Sequence, residues 1–198
     1  MLIIPAQGDL VIGIDEVGRG CIAGPVVAAA VAWGKSIDGL GDSKKLSALR
    51  RAKLVPLIKE ASAAFSIGQA SVEEVDEINI LQATFLAMRR ALAGLPAEIT
   101  EGARIWVDGN AMPVGMPQER TELFIGGDAT HAPISAASIL AKEWRDDFMR
   151  ESALAYPDFG FEKHMGYGTA YHLAALDRVG PCILHRRTFA PVTKRLAK

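Results

Sequence analysis

Hydrophobic positions in this chain fall into short β-branched runs and longer stretches with helical spacing. The short aliphatic runs predict strands at residues 10–16, 25–33 and 64–70. Two further strands are predicted at residues 104–108 and 121–125, each followed directly by glycine. The chain therefore contains enough strand signal for one five-stranded sheet.

Helical spacing of apolar residues predicts the elements that connect and cover these strands. Regular stripes run over residues 78–92 and 133–150, and the second begins at a proline, which suits a first helical turn. An uneven stripe at 46–61 is disturbed by Pro56, and another helix is predicted near 169–178. The order β-β-β, then α-β-β-α, indicates an α/β fold with a mixed sheet flanked by helices.

Length and composition indicate a globular chain with one core. The 198 residues are 49% hydrophobic and 23% charged, so we expect a single domain over 1–198, with residues from about 155 to 198 forming a helical and irregular extension. Cys21 and Cys182 make neither a disulfide framework nor a metal cluster. The apolar N-terminus lacks a basic region, and the apolar runs are too short to span a membrane, so we expect a cytoplasmic protein.

Charge alone argues against a general nucleic-acid binder, because the formal net charge is −1. Its distribution is uneven, however. Residues 178–198 contain six cations and no Asp or Glu, which leaves two interpretations open, a solvated basic tail or a phosphate contact. The six are Arg178, Arg186, Arg187, Lys194, Arg195 and Lys198.

Acidic residues stand at or just after the ends of three predicted strands, each near a glycine. They are Asp15 with Glu16, Asp108, and Asp128. Functional groups gather at the carboxyl ends of parallel strands, so neighbouring strands would bring these acids to one edge of the sheet. Consecutive strand residues point to opposite faces, so we expect the chain to bend at Asp15 and Glu16, with Gly18-Arg19-Gly20 supplying the bend.

Four clustered carboxylates repel one another, and divalent cations would neutralise them. Mg²⁺ prefers carboxylate, water and phosphate oxygens, and two ions about 3.5–4 Å apart can act on both sides of a phosphodiester. The alternative is that Asp-Gly pairs such as Asp108-Gly109 are only turns. The pattern predicts a metal site and leaves its substrate open.

A series of ordered segments resembles the ribonuclease HII family. The opening segment is Ile14-Asp15-Glu16-Val17-Gly18-Arg19-Gly20, followed by Ala23-Gly24-Pro25-Val26-Val27. The later segments are Asp42-Ser43-Lys44-Lys45-Leu46, Ile78-Asn79-Ile80-Leu81-Gln82-Ala83-Thr84, Val107-Asp108-Gly109-Asn110, 135–142, Gly166-Tyr167-Gly168-Thr169, and His185-Arg186-Arg187 with Phe189 and Pro191-Val192. The resemblance covers residues 11–192.

The resemblance implies a ribonuclease H-like fold and hydrolytic cutting on the 5′ side of ribonucleotides. The implied substrates are RNA/DNA hybrids and duplex DNA with an embedded ribonucleotide, and the implied products carry 3′-hydroxyl and 5′-phosphate ends. Mg²⁺ or Mn²⁺ is the implied cofactor, with two ions expected when substrate is bound. The family's metal-binding, catalytic acids correspond to Asp15, Glu16, Asp108 and Asp128.

The resemblance also assigns substrate contacts. Gly18, Arg19 and Gly20 would present main-chain groups to the ribose 2′-hydroxyl as well as forming the bend. The alternative, that they form only the bend, accounts for the glycines but not for Arg19. Tyr167 would pack on the sugar after the ribonucleotide, and the alternative is a half-buried loop anchor.

Basic side chains are candidate phosphate contacts, which give affinity without sequence preference. For Lys142, on the polar face of its predicted helix, plain solvation is the alternative. The candidates are Lys45, Lys142, Arg186 and Arg187. Metal-ion hydrolysis requires no histidine base, so we expect structural histidines at His164, His172 and His185.

Two positions depart from the family pattern. Gly127 stands where a lysine is expected before the fourth acid, and Trp144 replaces a smaller residue and is expected to pack inward. Two alternative functions remain: a non-cleaving nucleic-acid-binding module, and another nuclease or recombinase of the same sheet type. The ten or so residues before the first strand leave no room for the additional N-terminal domain of ribonuclease HIII, no sliding-clamp motif is visible, and a monomer is expected.

Overall fold

The protein is described by a computed structural model over residues 2–41, 43 and 45–196. The predicted motif residues Asp42 and Lys44, and the basic residue Lys198, lie outside the described residues. Five strands agree with the predicted runs to within one or two residues at each end. They are β1 (Val11–Val17), β2 (Val26–Ala32), β3 (Ala64–Ala70), β4 (Arg104–Asp108) and β5 (Thr121–Phe124).

The strands form one mixed sheet in the order β3-β2-β1-β4-β5. β2 is antiparallel to both β1 and β3, whereas β4 is parallel to β1 and β5 is parallel to β4. The predicted five-stranded mixed sheet is confirmed. Because β1, β4 and β5 run in the same direction, their carboxyl ends lie at one edge.

Seven helices are described, together with short 3₁₀ turns at Gln118–Arg120 and Gly127–Ala129. They are α1 (Ala48–Ala61), α2 (Val72–Ala93), α3 (Ala97–Thr100), α4 (Ala132–Ala155), α5 (Phe161–His164), α6 (Ala170–Val179) and α7 (Ala190–Leu196). No described helix combines the length and the apolar character needed to cross a membrane.

Helix α2 covers one face of the sheet, and α1 and α4 cover the other. The closest approach occurs at Gly13, where a Cβ atom would lie 2.1 Å from the main-chain carbon of Pro133. No side chain larger than hydrogen fits there, so α4 begins directly against β1. This contact fixes the start of α4 against Gly13, in the first half of β1.

The helix predicted at residues 46–61 is present as α1, whereas the prediction for residues 78–92 needs correction. Pro56 lies inside α1 without ending it. Helix α2 begins six residues before the predicted start, at Val72, and is kinked at Asn79, whose φ is +66°. Asn79 accepts hydrogen bonds from the amides of Leu81 and Gln82, so it caps the second part of the helix.

The C-terminal segment packs as a small helical layer around its own apolar cluster. Phe161, Leu176 and Val192 are buried there together with Ile22 and Met149. Helix α7 was not predicted from the sequence. The layer contacts the segment that follows β1, which places it beside the acidic edge of the sheet.

Candidate metal and nucleic-acid site

Three of the predicted acids meet at the carboxyl edge of the sheet. Asp15 and Glu16 lie near the end of β1, and Asp108 is the last residue of β4. One carboxylate oxygen from each lies within 4.8 Å of the other two. The convergence expected from parallel strand ends therefore holds for these three residues.

The expected bend at Asp15 and Glu16 is wrong. Both residues remain in β1, which stays paired with β2 as far as Val17, and the turn begins only at Gly18. The pairing of β1 with β4 ends at Ile14 and Val107, so Asp15, Glu16 and Asp108 all lie just past the last β1–β4 pair. The three carboxylates therefore meet although Asp15 and Glu16 stay in β1, and the glycines are not needed to bring these acids together.

Burial and mutual repulsion make the acidic group electrostatically unfavourable. Burial raises the pKa of Asp15 well above its usual value, and the charges of Glu16 and Asp108 raise it further. Burial also raises the pKa of Glu16, against the opposing effect of Arg19, which lies 3.3 Å away. A group of carboxylates in this state favours either a proton or a bound cation.

A serine from α4 supports Asp15. The Ser138 hydroxyl hydrogen bonds to the Asp15 carboxylate and lowers its pKa in part. Ser138 Oγ also lies 2.7 Å from Ser43 Oγ, in the loop before α1. Since the carboxylate can only accept when ionised, Ser138 donates to Asp15 and Ser43 donates to Ser138. The sequence interpretation missed Ser138, because its role depends on the contact between α4 and β1.

Asp128 is buried in the 3₁₀ turn after β5 and does not belong to the group of three oxygens within 4.8 Å. Its neighbour connects it to that group, because the amide of Gly127 donates a 2.7 Å hydrogen bond to Asp108 Oδ1. A Cβ atom on Gly127 would lie 2.6 Å from Ile134 Cδ1, so a larger residue would require Ile134 to move.

A small cavity of about 30 Å³ opens beside the acids. Glu16, Arg19 and Asp108 contribute polar groups to its wall, and Phe85 and Met88 contribute apolar ones. The volume exceeds the roughly 10–15 Å³ that one water molecule needs. Three carboxylates beside such an opening fit a hard divalent cation, which takes oxygen ligands.

The glycine-rich segment after β1 lies against the turn that carries Tyr167. An added Cβ on Gly20 would contact the Tyr167 ring at 3.9 Å, and the amide of Ile22 donates to the Gly166 carbonyl at 2.9 Å. Tyr167 is 45% exposed, so its ring is available at the surface. The two predicted recognition elements therefore form one continuous surface.

The predicted phosphate contacts divide sharply by burial. Lys45 and Arg187 are exposed. The prediction for Arg186 is wrong for this conformation: its side chain is completely buried and donates to the carbonyls of Gly24 and Arg19. Burial and the nearby Arg145 lower the pKa of Arg186 to about 10.

Lys142 is held by an ion pair. Its ammonium group lies 2.5 Å from Asp146, and only 18% of its side chain is exposed, so the alternative of plain solvation does not describe it. Within the described part of the basic stretch, residues 178–196, two of the cations are held in ion pairs. Arg178 pairs with Asp158, and Arg195 pairs with Asp177.

The histidines form a buried cluster, as expected for structural residues. His172 Nδ1 lies 2.9 Å from the Tyr167 carbonyl, and its Nε2 lies 2.9 Å from His185 Nε2. A carbonyl only accepts, so neutral His172 carries its hydrogen on Nδ1 and accepts from His185, which accepts in turn from the Cys182 amide. Burial lowers the pKa of both His172 and His185 to about 4.

The sheet order and the acids at its carboxyl edge define an α/β protein with the ribonuclease H-like fold. A family model described as ribonuclease HII matches residues 12–192. The chain belongs to the ribonuclease HII family. It is thus an endoribonuclease of the hydrolase class, and its acidic group is consistent with the metal dependence of that class.

Individual relatives agree with this assignment. A ribonuclease HII of Sphingopyxis alaskensis is 56% identical over 186 residues, which cover 93% of this chain and 91% of the relative. The crystal structure of ribonuclease H2 from Pyrococcus horikoshii OT3 matches with a TM-score of 0.74 and 24% identity, over 93% of this chain and 96% of that one. Bst-RNase HIII, solved in complex with Mn²⁺, matches with a TM-score of 0.77 and 22% identity, over 96% and 70% of the two chains. The last two show the shared fold.

Proposed function

We propose that this chain cuts the phosphodiester on the 5′ side of ribonucleotides in RNA/DNA hybrids and of single ribonucleotides in duplex DNA. The products would carry 3′-hydroxyl and 5′-phosphate ends. The observation that carries the proposal is the group formed by Asp15, Glu16 and Asp108, set beside the surface made by Gly20 and Tyr167. A site for phosphodiester chemistry and a surface for sugar recognition thus lie on one edge of the sheet.

The acids would hold two divalent cations, Mg²⁺ or Mn²⁺, once substrate is bound. Asp15, Glu16 and Asp108 would be ligands, and we propose Asp128 as the fourth, brought to the group by the Gly127–Asp108 hydrogen bond. Ions in this arrangement activate a water molecule on one side of the phosphate and stabilise the leaving oxygen on the other. Ser138 would keep the Asp15 carboxylate ionised and oriented toward the ligand position.

Substrate selection would depend on the segment after β1. Gly18, Arg19 and Gly20 would present main-chain groups to the 2′-hydroxyl, which is the group that distinguishes RNA from DNA. Arg19 also pairs with Glu16 at 3.3 Å, which couples this segment to the acids. Tyr167 would stack on the following sugar.

Phosphate contacts away from the cut would come from exposed cations. We propose Lys45 and Arg187 for direct contacts, because both side chains lie at the surface. Lys142 would contribute indirectly through its pair with Asp146 unless substrate draws it away. We further propose that the chain acts as a cytoplasmic monomer and as a single domain in which the C-terminal layer carries Tyr167.

The deciding experiment is cleavage of a labelled duplex with one ribonucleotide, beside an all-DNA duplex of the same sequence, in Mg²⁺ and in Mn²⁺. We expect one cut on the 5′ side of the ribonucleotide and none in the control. Absence of cutting by folded protein in both metals would refute the proposal and favour a binding module. Cutting of both duplexes would favour a nuclease that does not read the 2′-hydroxyl.

A further inference from the structure

We propose that Arg145 and Arg186 are positioning residues that fix the main chain between Gly18 and Pro25 for the selection of a ribonucleotide. The inference rests on the proposed function, since it concerns how the 2′-hydroxyl is recognised. It assigns a shared role to two arginines that lie away from the acids and do not reach the protein surface.

Successive carbonyl groups of this segment are bound from two sides. Arg145 donates to the carbonyls of Ala23 at 2.9 Å and Pro25 at 3.0 Å. Arg186 donates to the carbonyl of Gly24, between them, at 2.9 Å. The segment is therefore enclosed between two guanidinium groups. Neither guanidinium group can move without breaking its hydrogen bonds to the main chain.

The same two arginines reach the recognition elements at both ends. Arg186 Nη1 donates to the Arg19 carbonyl at 3.1 Å. Arg145 Nη1 donates to the carbonyl of Met165 at 2.8 Å, two residues before Tyr167. The two side chains thus connect the glycine-rich segment with the turn that carries the tyrosine, and they set the spacing between the two.

The fit around Arg145 leaves no space for adjustment. A Cβ atom on Gly18 would lie 2.3 Å from Arg145 Nε, and Gly18 has a φ of +96°, which only glycine adopts readily. Close packing of a guanidinium on the main chain thus accounts for the glycine at the start of the turn. Glycine also lets the turn adopt this positive φ without strain.

Burial of these two cations is costly. Both side chains are 0% exposed, and among the residues that the structure describes their hydrogen-bond partners are carbonyl oxygens alone. Arg186 Nη2 is buried without a hydrogen-bond partner in the same described part of the chain. Apolar side chains of similar volume would fill this space at lower cost, whereas the rigid fork of arginine can hold several carbonyls in one geometry. An apolar side chain in place of either arginine would fill the space but would not order the segment.

Lysine variants test this role, because lysine keeps the charge and loses the fork. Arg145→Lys and Arg186→Lys would be made in an Asp15→Asn background, which prevents cutting during binding measurements. The quantity measured is the ribose preference, defined as the Kd for the all-DNA duplex divided by the Kd for the matched duplex with one ribonucleotide. We expect each lysine variant to reduce this preference by roughly 5- to 10-fold, as the loss of one or two hydrogen bonds implies, and to change the Kd for all-DNA duplex by less than about 2-fold.

Arg187→Met is the matched comparison, since this exposed neighbour should weaken binding of both duplexes equally and leave the ratio unchanged. A purely structural role for Arg145 and Arg186 would lower the folded fraction and leave the ratio of the folded protein intact. Unchanged ribose preference in both lysine variants would overturn the inference. Absence of any preference in the Asp15→Asn parent, or of cutting by the unmodified protein, would instead refute the proposed function.

A second measurement needs no variant. In the protein without nucleic acid, the amides of Ile22 and Gly24 should exchange hydrogen as slowly as those of β1, because the segment is ordered before substrate binds. Exchange near the rate of an unstructured chain would overturn the inference even where a lysine variant does not fold.

Discussion

The amide of Gly127 donates a hydrogen bond of 2.7 Å to Oδ1 of Asp108. This bond connects the end of β4 to the 3₁₀ turn that carries Asp128, and it occupies one lone pair of a partly buried acid of the three-carboxylate group. It also gives a local function to a position where the family resemblance led us to expect lysine. The main chain of Gly127 thus contributes to holding Asp108 in place.

Gly127→Ala tests how tightly this turn is packed. The new Cβ would lie 2.6 Å from Ile134 Cδ1, so we expect a loss of about 1–3 kcal/mol in the free energy of unfolding. Ile134→Val removes that Cδ1 atom and provides the matched background. In the Ile134→Val background, Gly127→Ala should lower the free energy of unfolding by less than in the unmodified protein. The difference, measured by urea unfolding as a double-mutant cycle, should be roughly 1 kcal/mol. Equal costs in the two backgrounds would show that Ile134 does not limit this position.

Asp15→Asn should have opposite effects on activity and on stability. The substitution removes a proposed metal ligand. Mutation of residues that only hydrogen-bond to metal ligands already lowers metal affinity or activity by about 10- to 100-fold, so we expect kcat/KM to fall by about 100-fold or more. It also removes a buried charge that Glu16 and Asp108 repel. In EDTA the variant should therefore be more stable than the unmodified protein, by about 1–2 kcal/mol or some 2–8 °C in Tm.

The control for this prediction is addition of Mn²⁺. The metal should raise the Tm of the unmodified protein and have a smaller effect on the variant, because binding to the folded state stabilises it. A variant that unfolds earlier in EDTA, or that responds fully to Mn²⁺, would contradict the electrostatic account of the acidic group.

The sheet could be predicted from the sequence because its signals are local. Short apolar runs placed β3 and β4 at their observed bounds, and Gly109 marked the end of β4. The start of α2 was missed although a local signal exists, since Ser71 and Glu74 form a capping box. That spacing would have extended the predicted helix to Val72.

The remaining features depend on contacts between distant segments. Asp15 and Glu16 share a site with Asp108 just past the last β1–β4 pair, although both lie in a regular strand, and pairing registers cannot be read from periodicity. Arg186 and Arg187 are adjacent in sequence, yet one is buried and the other exposed. Their side chains have the same local propensity, so only the packing of the C-terminal layer separates their roles.

Arg51→Met tests a buried charge network that supports the loop carrying Lys45. Arg51 lies 2.6 Å from Glu143 and 3.3 Å from Asp146, and it donates to the carbonyl of Leu46. Removing the cation leaves a buried carboxylate without this partner, so we expect a loss of about 3–5 kcal/mol in the free energy of unfolding.

The comparison variant is Arg104→Met, which breaks the exposed Arg104–Glu122 pair at 2.6 Å. Half-exposed pairs of this kind contribute less than about 1 kcal/mol. Urea unfolding of both variants compares their losses in the free energy of unfolding. Similar small losses would mean that the Arg51 network contributes no more than a surface pair.

The histidine pair should make stability depend on pH in the acidic range. The pKa of His172 and of His185 is about 4 in the folded protein and near 6.5 when unfolded, so the unfolded chain binds more protons between these values. Stability is therefore fully present above pH 6.5 and is lost as the pH falls toward 4. At pH 5, the two rings together should contribute an uptake of about two protons on unfolding.

His172→Gln separates this contribution from that of the carboxyl groups. The measurement compares the slope of the free energy of unfolding against pH in the variant and in the parent. Near pH 5, we expect the variant to take up about one proton fewer on unfolding. The hydrogen-bond chain explains the direction, because a second hydrogen on His172 would face the Nε2–H of His185 at 2.9 Å. An unchanged slope in the variant would mean that His172 titrates normally and does not form the neutral chain described above.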